Sequence, residues 1–304
     1  MSVEFPSETM DTLCGLFGKT RQAYYKHKRY DVSEKDWEDR ILEIVRYYRS
    51  LMPLIGCLKL YTIVCDILGK RRGYARDSFL ALMRRHNLII PPRRTKHTTN
   101  SNHLYFKYPN CAKALDVNCA NMLWVSDITY IPLVGGSYCY LHLVTDYYSR
   151  AIIGYTVAPS LEAKHTVLAL EQAIARAGGG NLCGTTHHSD RGVQYASDAY
   201  TQVLHDHHIR ISMCEDYNPT DNGIAERVNG ILKTEWLEQL PLLTDIGDAM
   251  VQMAHIIDLY NFVRPHWSLQ QRTPMAVYQD DPTITPAERW YNIRDGKEGE
   301  KADG

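Results

Sequence analysis

The stretch from HHSDRGVQY (residues 187–195) to DNGIAERVNGILKTEW (residues 221–236) decides the fold of this chain. Asp190 lies where a short segment runs into a turn, and Glu226 lies on an amphipathic helical pattern. Thirty-five residues separate these two carboxylates, and Asp127 precedes Asp190 by 63 residues in an apolar, β-branched segment. We therefore expect Asp127 within a strand, Asp190 at the end of another strand and Glu226 on a helix.

The segments around this stretch alternate between strand and helix patterns. The predicted order is strands over 122–133, 138–145 and 151–157, a helix over 161–177, a strand over 185–189, a helix over 197–208, a strand over 209–213 and helices over 221–239 and 244–263. Close turns between the first three strands predict an antiparallel meander. The whole order predicts an α/β fold of the RNase H-like class, a mixed five-stranded sheet with flanking helices.

The first hundred residues have a helical pattern instead. Two short helices are predicted within 7–29, the second with Thr20 as its N-cap, as a small helix-turn-helix or a plain helical hairpin. Ser33 is predicted to cap a longer helix that Pro53 ends, and helices over 58–68 and 77–86 form a second helix-turn-helix. The predicted division is 1–52 N-terminal helical region, 53–108 second helix-turn-helix module with a basic arm, 109–281 α/β core and 282–304 flexible tail.

Charge is distributed unevenly along the chain, although the net charge is only −1. Residues 1–107 carry 20 Lys and Arg against 11 Asp and Glu, whereas residues 108–304 carry 14 against 24. A basic front half favours contact with a polyanion, and a solvated charge run is the alternative. The basic residues that we predict to contact DNA are Arg71, Arg72, Arg84, Arg85, Arg93, Arg94 and Lys96.

The cysteines and the hydropathy pattern bound the cellular environment. None of the eight cysteines forms a CxxC pair, so zinc-finger spacing is absent, and Cys57, Cys65 and Cys139 lie in apolar runs as expected of buried thiols. The sequence has no signal-peptide pattern and no apolar run near the roughly 18 residues of a membrane span. We expect a soluble, cytoplasmic, nucleoid-associated protein without membrane contact.

The three carboxylates suit the chemistry of phosphodiesters. Two divalent ions about 4 Å apart assist such a reaction by stabilising the attacking and the leaving oxygen. Carboxylates are the ligands that such hard ions prefer, so Asp127, Asp190 and Glu226 are our candidate metal ligands. By residue type alone, other acids fit as well: Asp146, Asp198, Asp206, Asp216 and Asp221.

The helix that carries Glu226 has one polar face. At 100° per residue, Glu226, Asn229, Gly230 and Lys233 fall within an arc of roughly 100°, while the opposite side is apolar. We predict that Asn222, Asn229 and Lys233 contact phosphates or bases.

Histidines near these carboxylates suggest two further sites. His187 and His188 precede Asp190 and are candidates for proton transfer, although a histidine beside a strand end is more often structural. His205, His207 and His208 suggest a metal cluster, but HxHH on a helix does not align its side chains into one site.

These segments, followed by YNFVRPHWSLQQRTPMAVY (260–278), resemble the integrase-core transposases of the second reading frame of bacterial insertion sequences, the insertion sequence three family. The resemblance covers roughly 120–281, and IGCLKLY (55–61) and RDSFLALMRRHNLII (76–90) resemble the helix-turn-helix module of that group. Asp127, Asp190 and Glu226 match its catalytic positions. The segment Arg264-Pro265-His266 matches its RPH element, which we expect to cap the last helix and hold the core.

The resemblance implies a DNA transposase that uses Mg²⁺ or Mn²⁺. Water first attacks a phosphodiester at an element end, and the freed 3′-hydroxyl then attacks another phosphodiester. The implied partners are double-stranded DNA of element ends and target, further copies of the chain on DNA, and a protein of the upstream reading frame. Retroviral integrases carry a zinc domain of paired His and Cys, which this sequence lacks. A DNA-binding regulator without catalysis and an RNase H-like nuclease are the alternative functions.

Overall fold

The computed structural model describes residues 9–69, 74–90, 108–215 and 222–280, except for the side chains of residues 27–32. The helices of the first part are α1 (Met10–Leu16), α2 (Arg21–Leu51), α3 (Cys57–Leu68) and α4 (Arg76–Arg85). Thr20 caps α2 as predicted, because its Oγ1 accepts a hydrogen bond from the Ala23 N–H at 3.1 Å. The predicted helix start at Ser33 is wrong, since α2 continues through it. The sequence from 21 to 51 contains neither glycine nor proline, so nothing interrupts the helix there.

The second part begins with a five-stranded sheet. Its elements in chain order are β1 (Leu123–Pro132), β2 (Tyr138–Asp146), β3 (Ile152–Ala158), α5 (Ala163–Arg176), β4 (Thr186–Ser189), α6 (Val193–Ala196), α7 (Asp198–Asp206), β5 (Arg210–Met213), α8 (Gly223–Glu235), α9 (Ile246–Asp258) and α10 (Pro274–Tyr278). The spatial order of the strands is β3-β2-β1-β4-β5. The first three strands pair antiparallel, and β4 pairs parallel with β1 and β5. The predicted meander and the mixed RNase H-like sheet are therefore confirmed.

Two hydrophobic cores cover the two faces of this sheet. One contains side chains of α5 and α7 together with Trp124 of β1 and Val144 of β2. The other joins side chains of β1 and β2 to α8, α9 and the N-terminal helices α2 to α4. Gly154 lets α5 approach β3, because a Cβ there would lie 2.0 Å from the Ala169 carbonyl oxygen. The N-terminal helices thus share a core with the helix that carries Glu226.

The end of the described chain differs in detail from the prediction. The helix predicted over 244–263 is α9 followed by a turn of π-helix at Leu259–Val263. There the Asn261 side chain bonds both the N–H and the carbonyl of Ile152, each at 2.9 Å, beside a register shift between β2 and β3. The short helices α6 and α10 were not predicted. Among the described residues, no helix is both long and apolar enough to cross a membrane.

Candidate active site

Strands β1 and β4 bring Asp127 and Asp190 together. Their parallel ladder ends with Ser126 opposite Ser189. Asp127 is the next residue of β1, and Asp190 directly follows the last residue of β4. Paired strands lie about 4.8 Å apart, and residues in register point to the same face of a sheet. The predicted proximity of the two aspartates is therefore a direct result of the strand order.

Asp127 is partly buried and held by two hydrogen bonds. Its Oδ1 accepts from the Ile128 N–H at 2.9 Å, and its Oδ2 accepts from Asn229 Nδ2 at 2.8 Å. Burial raises the pKa of Asp127 to about 7, and the charges of Asp190 and, more weakly, Glu226 act in the same direction. The ionised form of Asp127 is therefore destabilised, and a cation bound beside it would offset the repulsion from the other carboxylates.

Asp190 is oriented by the turn that follows β4. Its Oδ1 accepts from the Gly192 N–H at 2.9 Å, and a Cβ at Gly192 would stand 2.9 Å from that same oxygen. Residue 192 must therefore be glycine to leave this carboxylate in place.

Tyr195 is a member of the site that the sequence did not reveal. It is buried, and its ring packs against His187 and Tyr200. Its hydroxyl has no hydrogen-bond partner among the residues that the structure describes. Burial raises the pKa of Tyr195 well above its ordinary value, and the charges of Asp190 and Asp127 add to the effect. It therefore remains a neutral donor near the two aspartates.

Helix α8 places Glu226 in its first turn, partly exposed. Its buried apolar side chains are Ala225, Val228, Leu232 and Trp236. Asn222 ties the start of the helix to β1, because its Nδ2 donates to the Ser126 carbonyl at 2.9 Å. The side-chain oxygens of Asn222 and Asn229 are buried, and neither has a hydrogen-bond partner among the described residues. Two unsatisfied acceptors beside the carboxylates are consistent with a site built to receive a hydrogen-bond donor or a cation.

The described part of the chain contains no group of three or more His, Cys, Asp and Glu side chains arranged to hold a metal ion. Asp127, Asp190 and Glu226 therefore share an electrostatic field without standing at common ligand distances. Of the other candidate acids, Asp146 is occupied in the turn after β2, where it accepts from Asn121 N–H, Ser149 N–H and Ser149 Oγ. Asp198 and Asp206 are exposed on α7, and 216 and 221 lie outside the described residues.

The basic residues predicted to contact DNA fall into three groups. Arg84 and Arg85 are exposed at the end of α4, and Arg85 forms an ion pair with Glu38. Lys233 lies within electrostatic reach of Asp127, and burial lowers its pKa against the influence of that carboxylate. The remaining basic residues of the prediction lie outside the described part: Arg71, Arg72, Arg93, Arg94 and Lys96.

Asn222 and Asn229 are placed differently from our expectation. We predicted that both contact DNA from the polar face of the helix, but both are buried. Their amide nitrogens bind Ser126 and Asp127 within the protein. The structure therefore gives them a positioning role at the carboxylates, because the polar face of α8 is turned toward β1.

The histidines before Asp190 are part of the core. His187 shares hydrogen bonds with Ser126 Oγ at 2.7 Å and Tyr200 Oη at 2.9 Å, and burial lowers its pKa to about 3. His188 bonds Ser212 Oγ at 2.9 Å. Burial and these bonds support a structural role for both, and His205, His207 and His208 form no metal-binding group with other described residues.

The far end of α8 carries a second charged cluster. Arg264 Nε and Nη2 donate to the two oxygens of Glu235 at 2.7 and 2.6 Å, and Lys59 Nζ lies 3.4 Å from the same carboxylate. His266 Nε2 lies 2.8 Å from Arg264 Nη1, which donates to it. Burial raises the pKa of Glu235, but the bonds and charges of Arg264 and Lys59 outweigh it and lower the pKa.

This cluster gives the RPH element a more specific role than the one expected. Arg264 does not merely follow the last helix, since it joins that segment to the end of α8. Lys59 adds a third element, because it belongs to α3 of the N-terminal part. Burial, reinforced by the charge of Arg264, lowers the pKa of Lys59 to about 8 even though Glu235 acts against the shift. Glu235 is thus a carboxylate enclosed by cations.

Comparison with known proteins agrees with this arrangement. Two family models, each described as an integrase core domain, match residues 117–219 and 207–274. A protein of Mycobacterium tuberculosis, named for transposition of insertion sequence element IS986/IS6110, is 35% identical over 147 residues, 47% of this chain and 52% of that protein. An uncharacterized 31 kDa protein of insertion element IS600 from Shigella sonnei is 28% identical over 87% of this chain and 96% of its own length.

Among solved structures, the catalytic core domain of HTLV-2 integrase in complex with magnesium is similar, with a TM-score of 0.39 and 20% identity, covering 53% of this chain and 97% of that domain. This chain spans about half the length of the mycobacterial relative. The two core matches together run from 117 to 274 and contain β1, β4 and α8. Residues 117–274 therefore match the integrase-core family, and the insertion-sequence relatives agree with that match.

Proposed function

We propose that this protein is a DNA transposase that cleaves phosphodiesters at element ends and transfers the freed 3′-hydroxyl to target DNA. Asp127, Asp190 and Glu226 are its catalytic residues and also its metal ligands. The observation that carries this proposal is the pair of aspartates at the end of the β1–β4 ladder, where burial and mutual repulsion raise the pKa of Asp127 to about 7. Such shifts concentrate where proteins do chemistry.

The donor set fits Mg²⁺ or Mn²⁺, which we propose as two ions in each site. Hard divalent ions prefer carboxylate oxygens, and this site offers three carboxylates and two unsatisfied amide oxygens, those of Asn222 and Asn229. When bound, the ions supply charge stabilisation to the attacking and leaving oxygens of the phosphodiester. The protein's own part is orientation, because Asn229 fixes the Asp127 carboxylate and the Gly192 N–H fixes Asp190.

The DNA partners are element ends and target, bound by more than one copy of this chain. The basic first part supports this, with Arg84 and Arg85 exposed on α4 close to the shared core. Lys233 is a further candidate for phosphate contact, since it is a partly exposed cation within electrostatic reach of Asp127. A partner protein from the upstream reading frame, the division of the chain at residues 52, 108 and 281, and a nucleoid location stay predictions.

One assay tests this function against its alternatives. The protein is incubated with labelled element-end DNA, a target plasmid and Mg²⁺, and joined products are resolved on a gel. We expect nicked ends followed by joined products. Nicking without joining would indicate an RNase H-like nuclease, and binding without either reaction would indicate a regulator.

A further inference from the structure

A groove opens on the surface where α3 and α4 meet the loop after His266. It has a volume of about 490 Å³, within the range of small-molecule sites in proteins. It lies away from the three candidate metal ligands. Its wall residue Lys59 contacts Glu235, which is nine residues, or roughly 13 Å, along α8 from Glu226. The mechanism proposed above makes no use of this groove.

The groove combines apolar walls with an aromatic ring at its rim. Leu58 and Ile89 belong to the wall and are themselves partly exposed. Trp267 is 73% exposed, which is costly for so large an apolar side chain and leaves its ring available for stacking. A flat, apolar surface of this kind suits a flat aromatic ligand.

One hydrogen-bond acceptor in the wall lacks a donor. Gln271 lines the groove, and its buried Oε1 has no hydrogen-bond partner within the part of the chain that the structure describes. Gln270 and Gln271 both have positive φ, 55° and 67°, which is unfavourable for residues with a side chain. An unsatisfied acceptor on a strained turn is typical of a position that a ligand completes.

The charges of the groove select for an anion. The described residues that line it include the cations Lys59 and Arg84 and no acidic side chain. Behind the wall, Lys59 shares a single carboxylate, Glu235, with Arg264, so positive charge is in excess there. A ligand with an aromatic ring, a hydrogen-bond donor and a phosphate could stack on Trp267, donate to Gln271 and pair with the two cations.

We propose that this groove binds an unpaired nucleotide of a DNA strand, with its base stacked on Trp267 and its phosphate near Arg84 and Lys59. An exocyclic amino group of the base donates to Gln271 Oε1, which favours adenine and cytosine over thymine. The nucleotide must be unpaired, because a stacked and paired base exposes neither face to a protein. The inference rests on the proposed action on DNA and adds a strand-holding site to it.

The test measures binding of fluorescein-labelled single strands of dA, dC and dT, each 12 nucleotides long, to the full chain by anisotropy at one fixed salt concentration. We expect Trp267→Ala to weaken dA binding about 5- to 100-fold, the range of losing one base–aromatic stack. Tyr138→Ala is the matched control, because Tyr138 is also an exposed aromatic, at 55%. Gln271→Ala should reduce the preference for dA and dC over dT.

Equal dA affinity of the Trp267→Ala and Tyr138→Ala proteins, with unchanged melting temperatures, would overturn the proposal. A change of oligomeric state in sedimentation without a change in DNA affinity would also overturn it and would assign the groove to a protein partner. Asp190→Asn separates this site from the proposed function. That variant should bind dA normally while forming no joined product, whereas a wild-type protein that binds dA but never joins DNA would contradict the function and leave the groove intact.

Discussion

The two ends of α8 hold carboxylates in opposite electrostatic situations. At the start of the helix, Glu226 lies within reach of Asp127, whose pKa is raised to about 7 by burial and by neighbouring carboxylates. At its end, Glu235 receives a bidentate bond from Arg264 and the nearby charge of Lys59, and its pKa is lowered. One helix thus connects a cluster with too little positive charge to a cluster in which the anion is fully paired.

The difference separates the cluster that we propose as catalytic from the one that holds the fold. Removing one partner from a buried ion pair leaves a charge without compensation, so the Glu235 cluster resists change. Like charges gathered without a cation cost stability, and a protein keeps them where a ligand will compensate them. The comparison predicts that substitutions at the start of α8 affect reaction and metal response, whereas those at its end affect stability.

The largest expected effect is on the reaction. Asp190→Asn should reduce strand joining about 10³-fold or more, because several kcal/mol of metal-dependent stabilisation is lost. Binding of double-stranded element-end DNA, measured by gel shift, should stay within about twofold, since each tenfold change in affinity requires about 1.4 kcal/mol. A variant that joins DNA at the wild-type rate would show that the site has been wrongly assigned.

The next effect is on stability at the other end of α8. Glu235→Ala should lower the free energy of unfolding in urea by about 3–4 kcal/mol, because Arg264 remains buried without its carboxylate. Glu162→Ala is the matched control, since Glu162 pairs with Lys164 at 2.8 Å with both side chains exposed. The control should lose far less stability, because solvent screens an exposed ion pair. Equal losses would mean that the buried cluster does not stabilise the fold.

The third substitution is expected to raise the free energy of unfolding, whereas most substitutions lower it. Below pH 3.8 Asp127 is protonated in both states, and between 3.8 and about 7 the folded state holds the proton more tightly. Stability from this group is therefore lost as pH rises through that window. In metal-free buffer at pH 8, Asp127→Asn should raise the free energy of unfolding by about 4 kcal/mol relative to wild type, because the pKa of Asp127 lies at about 7 in the folded protein and at 3.8 in the unfolded chain. At pH 4 the two proteins should be nearly equal.

Bound Mg²⁺ should reduce the difference in unfolding free energy between the wild type and Asp127→Asn. Saturating Mg²⁺ at about 100 times its dissociation constant should stabilise the wild type by about 2.7 kcal/mol and raise its melting temperature. The Asp127→Asn protein should respond much less, because it lacks one ligand. A Mg²⁺-dependent rise of the same size in both proteins would place the bound ion elsewhere.

The smallest effect concerns the basic surface of α4. Arg84→Ala should weaken binding to duplex DNA a few-fold and reduce the slope of log affinity against log salt by about 0.9, the loss of one phosphate contact. Arg76→Ala is the control on the same helix, since Arg76 contacts Asp77 at 3.4 Å. Equal salt slopes for the two variants would show that Arg84 makes no phosphate contact that Arg76 lacks.

Much of the fold and part of the site follow from the sequence alone. The alternation of strand and helix patterns predicted five strands, and the short turns within 122–157 required the meander that places β1 at the centre of the sheet. Local pattern also predicted Thr20 as a cap. It failed at Ser33, where the capping preference of one residue is weaker than the continuity of a helix that has no breaking residue.

The contacts that complete the site were beyond prediction. Helical periodicity placed Asn229 on the face of Glu226, but it could not show that the amide is buried against Asp127, because that depends on how α8 packs on β1. Arg264 and Glu235 are 29 residues apart and in different elements, so no periodicity relates them. The unsatisfied Tyr195 hydroxyl likewise depends on tertiary packing, although the residue is part of the motif itself.

One hydrogen bond joins two parts of the chain that are synthesised many seconds apart. Trp236 Nε1 donates to the carbonyl of Leu51 at 2.9 Å, across 185 positions of sequence. At about 5–20 residues per second, a ribosome needs roughly 10–40 s between these two residues. Until then the apolar face of α2 lacks the surface that covers it in the finished protein. Part of the apolar surface of the first third of the chain is therefore uncovered during that time, and slower translation of the core would lengthen that exposure.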